Sequence, residues 1–213
     1  MTKLTFDITM SLDGFVAGPN PRDEQPLGDG GERLHQWVYG LKTWREQHGR
    51  PGGEANRDAE ILEESTAGVG AAIMGRGMFG GGEGPWDESW QGHWGDDPPF
   101  SMPVFVLTHH AREPLVMKGG TTFSFVTGGI ESALDQARSA AGGKDVAISG
   151  GASVAQQYLR AGLLDEFQVH VSPVLLGGGV RLFDQLGPEQ IELETIRAVE
   201  SPAVTHLKYR VVF

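Results

Sequence analysis

The sequence predicts an α/β domain with a mostly parallel central sheet, helices on both faces and an antiparallel edge at its C-terminal end. Three observations carry this. From about residue 58 onward, short apolar runs suited to strands alternate with stretches of helical spacing, the pattern of strand-helix-strand units. The last two runs, at about 193–199 and 204–212, follow one another with no helix between them, as antiparallel neighbours do. The 213 residues suit one core, so the whole chain, 1–213, reads as a single domain with a Gly/Pro/charge-rich insertion at about 18–57.

The first strand is expected from Leu4 to Met10, where Leu4, Phe6, Ile8 and Met10 alternate with polar side chains. The insertion follows, and within it Leu34, Trp37, Val38, Leu41 and Trp44 keep the spacing of one amphipathic helix lying on the body or on a partner. A second helix is predicted at about Asp58 to Thr66, then a short buried strand at Ala71 to Met74. Residues 80–103 are irregular, rich in glycine and proline, and carry Trp86, Trp90, Trp94 and Phe100, so they read as a loop held by its rings. Regular alternation returns with strands at 104–108 and 122–126 and a helix face at Ile130, Leu134, Ala137 and Ala141. A strand at 146–149, a helix at 153–161 and a strand at 166–171 precede the closing pair.

Composition narrows the partners. A formal net charge of −11 repels a nucleic-acid backbone, so no nucleic-acid partner is expected, although a local nest of N–H groups or one arginine can still hold a small phosphorylated ligand. With no cysteine there are no disulfides or thiolate sites, which fits a cytoplasmic location. The first residues lack the apolar core of a signal peptide, and no run approaches the length of a membrane span. The seven histidines show no zinc-binding spacing, so no metal site is expected, and no G-x-S-x-G elbow occurs.

Four segments carry possible chemistry. In Val146-Ala-Ile-Ser-Gly-Gly-Ala-Ser-Val154 a buried strand ends in Gly150 and Gly151 and opens on a helix that Ser153 can cap. Such a junction brings free N–H groups and a positive dipole end to an anion or pyrophosphate; a tight turn with no ligand explains it as well. A second junction, Ile73-Met-Gly-Arg-Gly-Met-Phe79, sets Gly75 at a turn and Arg76 where a guanidinium could grip a 2′-phosphate or simply face solvent. The triple glycine of Val174-Leu-Leu-Gly-Gly-Gly-Val180 and the Asp13 of Ser11-Leu-Asp-Gly-Phe-Val-Ala17 stand at strand ends, where open sheets gather ligands, and both are also ordinary turn sequences.

Taken in order, S-L-D-G-x-x-A at 11–17, M-G-R at 74–76, the strand ending in Thr108, S-G-G-A-S at 149–153 and L-x-D-E followed by S-P-V-L-L-G-G-G at 163–179 are specific as a set. The chain resembles the C-terminal reductase domain of the bifunctional deaminase-reductases of riboflavin synthesis, within the dihydrofolate-reductase-like superfamily. The resemblance spans nearly the whole chain except the insertion. It implies a three-layer dihydrofolate-reductase-like fold with NADPH across the C-terminal edge of the sheet. Gly150, Gly151, Ala152 and Ser153 would meet the pyrophosphate, Gly75, Arg76 and Thr108 the adenosine end, and Ala17 the nicotinamide. Asp13 would border the substrate with Gly177, Gly178 and Gly179, and protonation would come from Asp13 or from water.

The implied activity is hydride transfer to a pyrimidine- or pteridine-like substrate, as in 5-amino-6-(5-phosphoribosylamino)uracil reductase. Departures are visible: Gly77-Met78 follows M-G-R where relatives carry a polar helix start, and no deaminase zinc signature is present. The alternatives are a dihydrofolate reductase, whose relatives hold the pterin with a buried carboxylate on the first long helix, or a non-catalytic NADP-binding protein of the same fold. A homodimer is expected, from the family's habit and from an exposed Trp37, Leu41 and Trp44 stripe.

Overall fold

The computed structural model describes residues 2–212. Strand β1 (Leu4–Ser11) opens the sheet and turns into the short β2 (Phe15–Ala17). The insertion carries a 3-10 turn at Gly31–His35, α1 (Gln36–Tyr39) and α2 (Lys42–Gln47), and α3 (Arg57–Thr66) leads out of it. Next come β3 (Val69–Gly75), α4 (Arg76–Phe79), β4 (Pro103–Leu107), β5 (Leu115–Val116), β6 (Thr122–Val126) and α5 (Gly129–Ala140). The chain continues as β7 (Asp145–Ile148), α6 (Ala152–Arg160), β8 (Glu166–Ser172), β9 (Val180–Arg181), β10 (Glu192–Glu200) and β11 (Thr205–Val212).

The main sheet runs β10-β11-β8-β1-β7-β3-β4-β6-β5. Its six central strands are parallel, while β11 and β10 close one edge antiparallel and β5 closes the other. The expected parallel sheet with an antiparallel C-terminal edge is therefore present. Two additions lay outside the sequence reading: the β5 edge and a separate two-stranded ribbon of β2 and β9.

Both faces of the sheet are covered, by different materials. On one face, alternate residues such as Leu4, Phe6, Ile73, Ile148 and Val169 pack with Leu134 of α5 and Tyr158 of α6 in the main core. On the other face of β3, β4 and β6, Met74, Val106 and Phe123 meet Phe79 and the rings of Trp86, Trp90, Trp94 and Phe100. The glycine-rich 80–103 loop is thus an ordered cover, as its aromatics predict. The apolar run 71–74 has both faces buried, which is why it shows no alternation.

The rest of that second face is polar, part-buried at Asp7 and buried at its two histidines. Asp7 Oδ1 lies 2.6 Å from His170 Nε2, His170 Nδ1 lies 2.6 Å from His206 Nδ1, and His206 Nε2 lies 3.0 Å from Asp58 Oδ1. Both histidines are 1% exposed. Trp37 covers them at ring distances of 4.9 and 5.4 Å and donates its indole N–H to Thr9 Oγ1 at 3.2 Å.

The insertion departs from expectation in a way that matters. Its apolar spacing is realised as three short turns rather than one helix, because the chain leaves helical geometry at Leu41 (ψ 140°) and bonds sideways, Lys42 N–H to Glu54 O and Glu54 N–H to Gly40 O. Trp37 and Leu41 are buried with Val38, Ala59 and Val204, and Trp44 is half-buried beside them. The stripe that was to drive dimerisation is instead the underside of the insertion.

Candidate functional site

The C-terminal ends of the parallel strands make the site, as they do in open α/β sheets. The Gly150–Gly151 turn is fastened to the end of β3 by two bonds, Ser149 N–H to Ile73 O at 2.8 Å and Gly75 N–H to Gly150 O at 3.0 Å. Gly75 is required here: a Cβ on it would stand 2.9 Å from Val154 Cγ2 in α6. The N-cap of α6 is Gly151, with no side-chain cap, and Ser153 lies in the first turn instead of capping it. The first-turn N–H groups therefore keep the positive end of the helix open. A Cβ built on Gly151 meets nothing within 4 Å, so the backbone is open to a ligand on that side.

Beside this turn lies a cavity of about 740 Å³ lined by Gly75, Arg76, Thr108 and Ser153 among others, a size suited to a cofactor or a drug-sized ligand. Four of the predicted cofactor residues thus share one cavity. Gly150, Gly151 and Ala152 form the adjoining turn without lining it, and Ala17 stands elsewhere, in the β2–β9 ribbon. Sequence reasoning missed Pro21, Arg22, Asp23 and Pro26 of the insertion, which also line the cavity, and His109, His110, Thr127 and Gln157. Only His109 and His110 had a signal, since they directly follow Thr108 at a strand end.

Arg76 is held before any ligand arrives. Its guanidinium lies 3.8 Å from the Trp86 ring centroid and donates to Gly84 O at 2.6 Å and Gly81 O at 3.4 Å. Its Nε is buried without a partner. A buried donor left unmatched is costly, so this nitrogen marks a place for an acceptor.

The second group of predicted residues assembles around the ribbon. Asp13 accepts from Ser11 Oγ at 2.6 Å, from Gly177 N–H at 2.7 Å and from Leu176 N–H at 3.1 Å. The Ser11 hydroxyl first, and then the two backbone donors, hold its carboxyl down at about 2. Asp13 is consequently ionised at neutral pH and has no proton to give, so of the two proton sources considered above, water fits the geometry better. Gly179, at φ 127°, lets β9 approach β2 so closely that a Cβ would stand 2.1 Å from Ala17 O. Asp13, Ala17 and Gly177 to Gly179 are therefore one structural unit, whereas none of them lines the large cavity.

The contribution of Asp13 has a definite pH sense. Because its folded pKa is depressed, the stabilisation is present above the ordinary carboxylate range and is lost as pH falls toward about 2. Asp13→Asn is expected to flatten the acid limb of a melting-temperature profile while loosening the loop at 174–177. An unchanged acid limb would show that the carboxylate does not tie the loop.

The first helix longer than two turns, α3, does carry a buried carboxylate, Asp58. Its oxygens meet His206 at 3.0 Å and Ser201 at 3.1 Å. Among the described residues no cluster of three or more His, Cys, Asp or Glu could hold a metal ion, and no helix is long and apolar enough to cross a membrane.

Comparison with known proteins places these features. The profile of the RibD C-terminal domain matches residues 2–207. Among solved structures, a protein from Shewanella sp. PV-4 assigned to riboflavin biosynthesis is similar over 100% of both chains, with 24% identity and a TM-score of 0.65. Riboflavin biosynthesis reductase Rib7 of Saccharomyces cerevisiae is similar over 99% of this chain and 90% of its own, with 12% identity and a TM-score of 0.57. A dihydrofolate reductase from Enterococcus faecalis, solved with NADP(H), is similar over 98% of this chain and 96% of its own, with 14% identity and a TM-score of 0.53. At these identities the structures establish a shared dihydrofolate-reductase-like fold. No curated protein sequence matches the chain.

Proposed function

From the premise that the chain belongs to the RibD C-terminal domain family, we propose that it is an NADPH-dependent reductase acting on a pyrimidine- or pteridine-like substrate. The observation that carries the proposal is the open Gly150–Gly151 turn and uncapped α6 beside a cavity lined by Gly75, Arg76, Thr108 and Ser153. The residues fit a dinucleotide: backbone open at Gly151 for a pyrophosphate, an unmatched Arg76 Nε, and a cavity of adequate size.

When bound, NADPH supplies the hydride for a polar C=N or C=O group. The chain does the rest by positioning. Gly150, Gly151, Ala152 and Ser153 receive the pyrophosphate, and Gly75, Arg76 and Thr108 receive the adenosine end. Ala17 borders the nicotinamide. Ionised Asp13 braces the loop of Gly177, Gly178 and Gly179 against the end of β1 and so shapes the substrate side, with solvent supplying the proton. A cytoplasmic location remains part of the proposal, as does a homodimer. The surface for the latter moves to the β10–β11 edge, where Leu193, Ile196 and Val212 are 41–44% exposed.

Steady-state NADPH oxidation against a panel of pyrimidine and pteridine substrates tests the activity, and a panel with no turnover would favour a binding protein that has lost the reaction. NADPH is expected to bind more tightly than NADH, and Arg76→Ala to narrow that preference by about tenfold, the size of one charge-assisted hydrogen bond. Equal affinity for both cofactors in the parent protein would remove Arg76 from the 2′-phosphate.

A further inference from the structure

Helix α6 borders both halves of the proposed site. Ser153, Val154 and Gln157 line the cavity, while the neighbouring Gln156 reaches the β2–β9 ribbon instead. Its side-chain nitrogen lies 3.0 Å from Arg181 O and 3.0 Å from Leu182 O. Two carbonyls can be answered only by an NH2 group, so both amide hydrogens are used there. Gln156 is buried, and a buried directional bond fixes one alignment of helix and ribbon where apolar packing alone tolerates sliding.

The connection continues past the ribbon. The Arg181–Leu182 peptide group accepts from Gln156 through its carbonyl and donates through its N–H to Gly14 O at 3.0 Å. Gly14 adjoins Asp13, whose carboxylate holds the N–H groups of Leu176 and Gly177. One side chain on α6 is thus joined, through a single peptide group, to the turn that braces the substrate loop. A second tie from α6, Arg160 Nη1 to Gln185 O at 3.1 Å, is exposed and lies beyond the ribbon.

We propose that Gln156 is a positioning residue that links the cofactor helix to the substrate loop, so that filling the first turn of α6 steadies the Asp13 turn and the loop at 174–179. The proposal rests on reading α6 as the pyrophosphate helix and the ribbon as the substrate side. The link follows from helix geometry. A helical residue donates its backbone N–H to the residue four before it, so Gln156 hangs from Ala152, the first residue of α6. That first turn has no side-chain cap, so it opens locally at lower cost than a capped one. Each opening loosens Gln156 and its hold on Arg181 and Leu182. An anion on the N–H groups of the turn suppresses the opening, and the ribbon is steadied without touching the ligand. By linkage, a steadied ribbon tightens the anion in return.

Hydrogen exchange of the whole protein, with and without 2′-phospho-ADP-ribose, tests this. The probe carries the adenosine end and the pyrophosphate but no nicotinamide, so it has nothing to press on Ala17 and the ribbon directly. The amides read are those of Leu182, Leu176 and Gly177, none of which lines the cavity. In the parent the probe should slow their exchange about fivefold, a coupling at the low end of the usual range. In Gln156→Met, which keeps the chain length but has no donor, the slowing should vanish. Probe affinity should change by no more than about fivefold, since reciprocity bounds the loss by the coupling itself. Val16 and Leu182 stay in the main core, so the ribbon loosens without detaching. Gln156→Asn, one methylene short of the two carbonyls, gives the same loss should Gln156→Met melt too low to measure. Arg160→Ala should keep the parent slowing.

A glutamine that merely stabilised the fold would speed exchange in the free variant and leave the probe-induced ratio intact. That result, or the absence of slowing in the parent, overturns the proposal and leaves the cofactor reading standing. If NADPH binds and the probe does not, the first turn of α6 is not where affinity resides, and the proposal falls alone. If neither binds, the cofactor reading fails and the proposal with it.

Discussion

Gly151→Val is expected to abolish NADPH binding, by a factor of about 100 or more, while the protein melts within a few degrees of the parent. The two effects separate because of the local geometry. Gly151 has φ −96°, an ordinary extended value, and its added Cβ would meet no protein atom within 4 Å. Neither a positive φ nor overpacking therefore opposes a branched side chain there. The same open side is where the proposed pyrophosphate comes against the first turn of α6, and a branched side chain would stand in its path. Gly150 makes a poorer probe, since it has φ 127° and a Cβ there would lie 3.3 Å from Met78. A folded Gly151→Val protein that binds NADPH with parent affinity would refute this placement, and calorimetry beside a thermal melt reads both halves of the result.

Gly179→Ala should have the opposite signature, a large loss of stability. Two costs combine: positive-φ strain of about 1–3 kcal/mol and overpacking of about 1–3 kcal/mol, where the new Cβ would press on Ala17 O. A net loss of about 2–4 kcal/mol would lower the melting temperature by roughly 5–15 °C in a domain of this size. Gly178→Ala is the internal control, because Gly178 has neither a positive φ nor a neighbour within 4 Å, and it should change stability by less than about 0.5 kcal/mol. Equal melting of the two variants would mean that the β2–β9 ribbon does not depend on the close approach at Gly179.

The parallel sheet was legible because β1, β4, β6, β7 and β8 each bury at least one regular face and are separated by helices or loops long enough to cross over. The β2–β9 ribbon was not, because strands of three and two residues are too short to show a period. The insertion kept a helical apolar spacing although Gly40 and Leu41 break it into separate turns, and burial under the same side chains looks identical in sequence whether the helix is continuous or not. In β1 the alternation correctly placed Leu4 and Phe6 in the core, but gave no sign that Trp37 of the insertion covers Thr9 on the other face or that Asp7 meets a buried histidine there. At the site, Gly75, Arg76, Thr108 and Ser153 could be found as strand ends and helix starts. Arg22 could not, since what brings it to the cavity is the path of a loop that has no periodic signal.

That covered polar face fixes a proton inventory. Asp7, His170, His206 and Asp58 are joined in a line by three hydrogen bonds, and three bonds need three protons. Two carboxylates and two neutral imidazoles bring only two, and so leave one of the three contacts without a hydrogen. The line is complete with one further proton and a net charge of −1. Burial lowers the pKa of His206, which favours its neutral ring. Burial acting alone would raise the pKa of Asp7, yet it is lowered, with the contact to His170 as the largest opposing influence. Seating Trp37 over this face is thus stoichiometric in hydrogen ions: a chain that begins with both imidazoles neutral must draw one proton from solution to close.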